Sequence, residues 1–289
     1  MSPQRSEQLL LIPLRLAAMS AAVICFLIVA LLVLESLPAL NNIGWRLLSD
    51  ANWRPTPAAA DGAFRVTPMV VATLVITAGA VLLAAPLGLA SALFCRFYAS
   101  PSVAVVYRRL VELLAGIPGV IYGFWGLVVL VPLLGAWRPP GASLLAASLV
   151  LALMILPTVA LISESAMRAV PQRYVRAAAA LGLSRWGTIR SVILPSARRG
   201  ILTAVILATG RAIGETLAVV MVVGNIVRFP SGLMEPVRAL TGNIALEMGY
   251  ASGDHRSALF FSGLVLTGLV MVLVLFANRL GHRGAISDA

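Results

Sequence analysis

A chain of 289 residues that is 60% hydrophobic, 11% charged and has a mean hydropathy of +0.96 is not a soluble domain; it reads as an all-α, polytopic membrane protein. Its formal net charge is +11 and all 22 basic residues are arginine. They lie in short loops between apolar runs, the placement that sets membrane orientation, so the charge does not point to nucleic acid. Without lysine there is no P-loop lysine, and ATP hydrolysis through such a loop is excluded.

Six apolar runs, 14–34, 69–93, 111–134, 144–162, 201–223 and 259–277, are each long enough to cross a hydrocarbon core of about 30 Å, and the chain reads as one transmembrane domain, 1–289. The first run follows Arg5 and Arg15. It is too long for a signal-peptide core and no small-residue cleavage site follows, so it is read as an uncleaved span. Cys25 and Cys95 fall inside spans and read as small apolar residues, with no disulfide framework and no metal site. Loop 41–66 carries Trp45, Trp53, Pro55 and Pro57, which act either as interfacial anchors or as part of a docking surface for an external partner. In the third run Glu112 stands at a helix start, where the dipole favours a carboxylate, and Gly116-Ile117-Pro118-Gly119 predicts a kink that lets the span move. A second long outer loop, 226–257, holds Pro230, Glu235, Pro236, Glu247 and Asp254; His255 and His282 are isolated and carry no assignment. With the N-terminus inside, fourteen arginines face the cytoplasm and seven face out, which predicts cytoplasmic N- and C-termini. No nucleophile–base pair is apparent, so the chain is not read as an enzyme.

Loop 163–200 alone carries seven arginines. Pro171 suits a first helical position, the alanine-rich run Tyr174 to Leu181 favours helix, and Gly182 supplies a left-handed stop. A second short segment, Trp186 to Leu194, is predicted to end at Pro195, giving a helix–turn–helix on the cytoplasmic face.

The fifth run holds the sharpest anomaly. Gly210-Arg211-Ala212-Ile213-Gly214-Glu215-Thr216 places two ionisable residues in apolar surroundings, at about 2.5–3.5 kcal/mol each on insertion scales. Arg211 lies about 16 Å from Gly200 if the helix is continuous, near the midplane. Glu215 then shares its face at i+4 and pairs with it, and Gly210 with Gly214 forms a ridge for close helix approach. A guanidinium that stays charged and offers a planar fork suits an oxyanion, with Thr216 as a further donor and Glu215 neutralising Arg211 when the pathway is empty.

Three stretches carry a family resemblance. Ala177-Ala178, Gly182, Val192 and Leu194-Pro195 fall in register with the "EAA" loop of binding-protein-dependent ABC importer permeases; Gly210 to Asn225 and Val111 to Gly126 resemble the fifth and third spans of the PstC type of phosphate importer permease. The resemblance covers most of residues 67–280. It implies a type I ABC importer permease fold, a substrate pathway through Arg211, Glu215 and Thr216, and coupling to an ATPase through Arg176, Ala177, Ala178, Gly182, Leu194 and Pro195. It also implies a PstA-like sister permease, a PstB-like ATP-binding dimer that holds ATP-Mg, a PstS-like external phosphate-binding protein, and no cofactor in this chain. Arg176 departs from the motif, which has glutamate there. The residues themselves admit sulfate, molybdate or tungstate as cargo, or a non-conducting phosphate sensor, as well as phosphate.

Overall fold

The computed structural model describes residues 3–282; Arg283, counted above for orientation, lies outside them. The elements in order are α1 (Pro3–Asn42), α2 (Arg46–Ser49), β1 (Trp53–Arg54), β2 (Ala63–Phe64), α3 (Thr67–Leu93) with a π-helical turn at Phe94–Tyr98, α4 (Pro101–Gly116), α5 (Gly119–Trp125), a π turn at Gly126–Leu130, α6 (Val131–Trp137), α7 (Leu144–Arg168), α8 (Gln172–Ala180), α9 (Arg185–Thr188), a π turn at Ile189–Ile193, α10 (Leu194–Gly214), α11 (Leu217–Val222), α12 (Leu240–Glu247) and α13 (Gly253–His282). Among the described residues six helical stretches have the length and apolarity of a span: Pro13–Asn42, Thr67–Tyr98, Gly119–Trp137, Leu144–Arg168, Arg185–Gly214 and Gly253–Phe276.

Two of the expected spans differ in a way that matters for the site. The run 111–134 is not one kinked helix: α4 ends at Gly116, and a new helix starts at Gly119 after extended Ile117 (ψ 128°) and Pro118 (ψ 140°). Proline disfavours helical backbone at the residue before it and lacks its own N–H, so the ladder stops there. Glu112 therefore sits in the last turns of α4 and not at a helix start. The run 201–223 is likewise divided, at Glu215-Thr216. The fifth span instead begins earlier than expected. Trp186 to Leu194 is no separate segment ending at Pro195, because α9, the π turn and α10 run on without a gap. Pro195 follows the π turn directly, the local widening that accommodates a residue without an N–H inside a continuous helix.

The chain divides into two compact units, Met1–Arg65 with Glu247–Val265, and Val66–Leu246 with Leu266–Ala289. In the first, the most apolar 18-residue stretch of α1 has no residue buried within the chain, whereas Ser36 and Ala39 nearer its end are buried. Loop 41–66 is a folded block. β1 and β2 pair antiparallel, Trp53 opposite Phe64. The Arg46 guanidinium donates to Asp50 (3.1 Å), to the Ala59 carbonyl (2.8 Å) and to the Gly62 carbonyl. Asp254 accepts from Asn42 (2.7 Å) and from the Ala59 N–H (2.8 Å). The two tryptophans of this loop separate: Trp45 is exposed, whereas Trp53 is buried and its indole N–H donates to Glu247 at 2.9 Å, which also bonds His255 at 2.9 Å.

In the second unit the core is built from small residues. Ala72, Ile76, Ala80 and Ala84 of α3 face Ala147, Val150, Leu151 and Ile155 of α7. An added Cβ at Gly79 falls 2.8 Å from the Ser148 side chain, and one at Gly88 falls 2.8 Å from the Val159 side chain, so these glycines make room for α7 side chains against the α3 backbone. In lipid, where apolar transfer supplies no drive between helices, such close packing is the main source of association. The start of α7 is closed without water. Ser143 accepts from the Ala146 N–H (3.2 Å), and the carbonyls of Glu235 and Leu233 accept from the N–H groups of Leu144 (3.0 Å) and Leu145 (2.8 Å). Non-helical backbone in 223–239 thus meets the donors that a helix start leaves unpaired.

Candidate functional site

The helix that carries Arg211 stops three residues after it. Glu215 is extended (φ −70°, ψ 128°), Thr216 has φ −111° and ψ −63°, and α11 begins at Leu217. The shared i, i+4 face is lost, and among the described residues Arg211 and Glu215 form no ion pair with each other. Other partners take them. The Arg211 guanidinium donates to the Thr158 hydroxyl of α7 at 3.5 Å and is otherwise exposed. The Glu215 carboxylate accepts from the Ala218 N–H at 3.3 Å, capping α11. Thr241 donates to the Glu215 carbonyl (3.0 Å) and Thr216 to the Gly214 carbonyl (3.3 Å).

The break explains how both charges are tolerated. Arg211 lies in the last turn of α10, the negative end of that helix dipole, and Glu215 at the positive start of α11; each placement contributes about 0.3–1 kcal/mol, and up to ~2 kcal/mol when partly buried. Low helix propensity at Gly210 and Gly214 makes the interruption cheap.

The close-approach ridge is also elsewhere than expected. An added Cβ at Gly214 meets nothing within 4 Å, and one at Gly210 reaches only Leu273 at 4.0 Å. The glycines that admit a neighbour are on α5. A Cβ at Gly119 falls 2.9 Å from both Glu215 carboxylate oxygens, and one at Gly123 falls 2.6 Å from the Ala218 Cα. Tyr122 donates to the Leu114 carbonyl at 2.8 Å, tying α5 back to the end of α4. The interruption between α4 and α5 and that between α10 and α11 therefore meet, with Glu215 seated on Gly119. Gly123→Val is expected to destabilise the protein by about 1–3 kcal/mol through overpacking against backbone, whereas Gly214→Ala leaves it near wild type; thermal unfolding in detergent compares the two.

A second polar cluster escaped the sequence reading. Glu164 of α7 is buried (side chain 3% exposed) and accepts from Arg168 at 2.7 and 3.0 Å and from Arg108 of α4 at 3.4 Å. Arg108 also donates to Glu112 at 3.0 Å, and that bond is the main cause of its pKa lying above the ordinary arginine value. On sequence alone Arg108 and Arg168 count only as orientation charges; the i, i+4 spacing of Glu164 and Arg168 at the end of an apolar run is the available signal. Glu164→Ala removes the acceptor common to two helices. A loss of about 1–3 kcal/mol is expected in the same unfolding assay, toward the low end because both guanidinium groups are partly exposed.

In the arginine-rich loop, α8 ends as anticipated. Gly182 is left-handed (φ +73°), with Leu183 N–H to Ala178 O (3.1 Å) and Gly182 N–H to Ala179 O (3.0 Å), the paired bonds of a Schellman turn. Pro171 precedes the helix by one residue. Ser184, whose hydroxyl accepts from the Gly187 N–H at 3.1 Å, caps α9. Ala178 is buried, Arg176, Ala177, Gly182 and Pro195 are exposed, and Leu194 is half-buried at the start of α10.

Residues 84–284 match the family described as the binding-protein-dependent transport system inner membrane component. The chain belongs to this family. It is thus a multi-pass inner-membrane permease component, and the chemistry of ATP hydrolysis is not its own. Within the family it is 39% identical over 240 residues to the probable ABC transporter permease protein YqgH of Bacillus subtilis, covering 82% of this chain and 77% of that one. It is 34% identical over 259 residues to the phosphate transport system permease protein PstC of Mesorhizobium japonicum (82% and 77% covered). To PstC of Pasteurella multocida it is 32% identical over 284 residues (90% and 87%). A bacterial alginate ABC transporter, solved in complex with an alginate pentasaccharide-bound periplasmic protein, shares the fold with a TM-score of 0.65 at 17% identity, covering 93% of this chain and 94% of that one. The MetNI methionine ABC transporter in an inward-facing conformation gives 0.58 at 20% identity, covering 75% and 93%. The fold is that of type I ABC importer permeases.

Proposed function

We propose that the chain is the permease subunit of an ATP-driven phosphate importer, forming half of the translocation pathway with Arg211 as the anion contact. The observation that carries this is an exposed guanidinium at a helix break, in a chain whose relatives include phosphate permeases. Its planar fork matches two phosphate oxygens. Glu215, held on Gly119, places a fixed negative charge just beyond it, so the anion is bound strongly enough to enter and weakly enough to leave. Thr158 joins Thr216 as a hydroxyl donor near the route. The N- and C-termini face the cytoplasm, which puts loop 163–200 against a PstB-like ATPase dimer and loop 41–66 toward a PstS-like binding protein. A PstA-like chain completes the pathway. ATP-driven closure of the partner dimer moves α8, and the two interrupted helices give the spans a place to bend.

Radiolabelled phosphate uptake in a strain lacking this chain tests the reading. Expression of the chain restores uptake, and excess sulfate, molybdate or tungstate does not compete; competition by one of these reassigns the cargo, and absence of any uptake despite correct insertion removes the conducting role.

A further inference from the structure

Residues 165–214 contain eight arginines and no aspartate or glutamate. Within the chain Arg168 pairs with Glu164, Arg185 donates to the Phe97 carbonyl at 3.0 Å, and Arg173 and Arg211 each reach a hydroxyl at 3.5 Å, those of Tyr174 and Thr158. Arg173, Arg176, Arg190 and Arg198 are exposed, and none lies within ion-pair distance of a carboxylate among the described residues. The acid that ends α7, Glu164, is buried and already paired with Arg168 and Arg108. Beside them Leu181 and Trp186 are exposed, and an open groove of about 990 Å³ runs between α8 and the base of α10, with Pro171, Tyr174, Val192, Pro195, Arg198 and Arg199 on its walls.

We infer that this surface is built for an acidic protein cleft: the ATPase partner presents carboxylates to loop 165–200, one of them opposite Arg176. The inference rests on the coupling role proposed above and specifies the partner's chemistry. Orientation in the membrane explains why the loop is basic, but not why its docking helix lacks a single carboxylate. Anionic lipid is the competing occupant. A helix that lies in a lipid interface needs a broad stripe of leucine or aromatic residues, whereas α8 exposes mainly alanine and arginine, Ala177, Ala179 and Ala180 among them. Alanine gives lipid little to hold but lets a protein wall come close enough for guanidinium–carboxylate forks to form. The groove alongside then receives a side chain of the same partner.

The test uses the full complex purified with its ATPase and reconstituted into nanodiscs of zwitterionic lipid, with retained ATPase subunit and phosphate-stimulated hydrolysis as readouts between 50 and 300 mM salt. Arg176→Glu is expected to lower retention about tenfold, because like charges then face each other; Arg176→Ala loses less, and wild-type retention falls as salt rises. Replacing the opposing carboxylate of the ATPase with arginine restores binding to the Arg176→Glu chain and weakens it to wild type. Retention by Arg176→Glu equal to or above wild type at every salt concentration overturns the inference while leaving the permease assignment intact. A defect seen only in vesicles rich in phosphatidylglycerol also overturns it, and assigns the surface to lipid. If the same wild-type complex, reconstituted in sealed zwitterionic vesicles, shows no ATP-dependent phosphate uptake, the functional reading fails instead.

Discussion

Phosphate uptake by an Arg211→Gln permease is expected to fall by at least tenfold, and by up to about a hundredfold, the equivalent of roughly 1.5–3 kcal/mol for a lost charge-assisted contact. The protein itself should fold and assemble normally. Among the described residues the Arg211 guanidinium bonds only the Thr158 hydroxyl, at 3.5 Å, and the residue is exposed, so its removal leaves no buried partner unsatisfied. Arg211→Lys separates charge from shape. Lysine keeps the positive end but not the planar fork, and an intermediate rate is expected. Wild-type uptake by the glutamine variant would exclude both a substrate contact and an essential gate at this position. Measuring insertion and complex yield beside uptake keeps a folding defect from passing for a transport defect.

The second large effect is expected at Gly182. Any side chain there adopts a left-handed backbone, at about 1–2 kcal/mol for an ordinary residue. A Cβ at this position meets nothing within 4 Å, so arginine causes no clash inside the chain. What it alters is the turn between α8 and α9, with the exposed Leu181 beside it. Gly182→Arg is therefore expected to insert normally yet abolish phosphate-stimulated ATP hydrolysis and uptake together. Gly182→Asn, which tolerates the left-handed region, should retain most of both. Normal uptake by the arginine variant would remove the coupling role from this loop.

Most of the architecture was legible because it depends on quantities that add along the chain. Six apolar runs give six spans, and the stop at Gly182 follows from local backbone preference alone. The interruptions were less legible. Pro118 announced a disturbance, but whether a proline kinks or ends a helix depends on what receives the freed groups, and the Tyr122 hydroxyl that meets the Leu114 carbonyl is a contact between two helices. At Glu215 the sequence spacing suggested a pair with Arg211, and helical periodicity was extended through a break that no proline marks. The competing partners, the Ala218 amide, Thr241 and Gly119, come from the far side of the break and from distant segments. For the same reason Gly210 and Gly214 drew attention as a packing motif while Gly119 and Gly123 do the packing. Glu164 was missed because its importance comes from burial, and burial is not a local property.

The facing interruptions have one more consequence, which concerns hydration. A helix end leaves about four donors or four acceptors without an internal partner. Where α4, α5, α10 and α11 terminate, Tyr122, Thr216, Thr241 and Glu215 satisfy some of these groups. The remainder lie within the apolar belt, where a dry polar group is costly. Water is therefore expected in the seam between the half-helices, and on the proposed route an anion would exchange its own hydration shell for a site that water already keeps open.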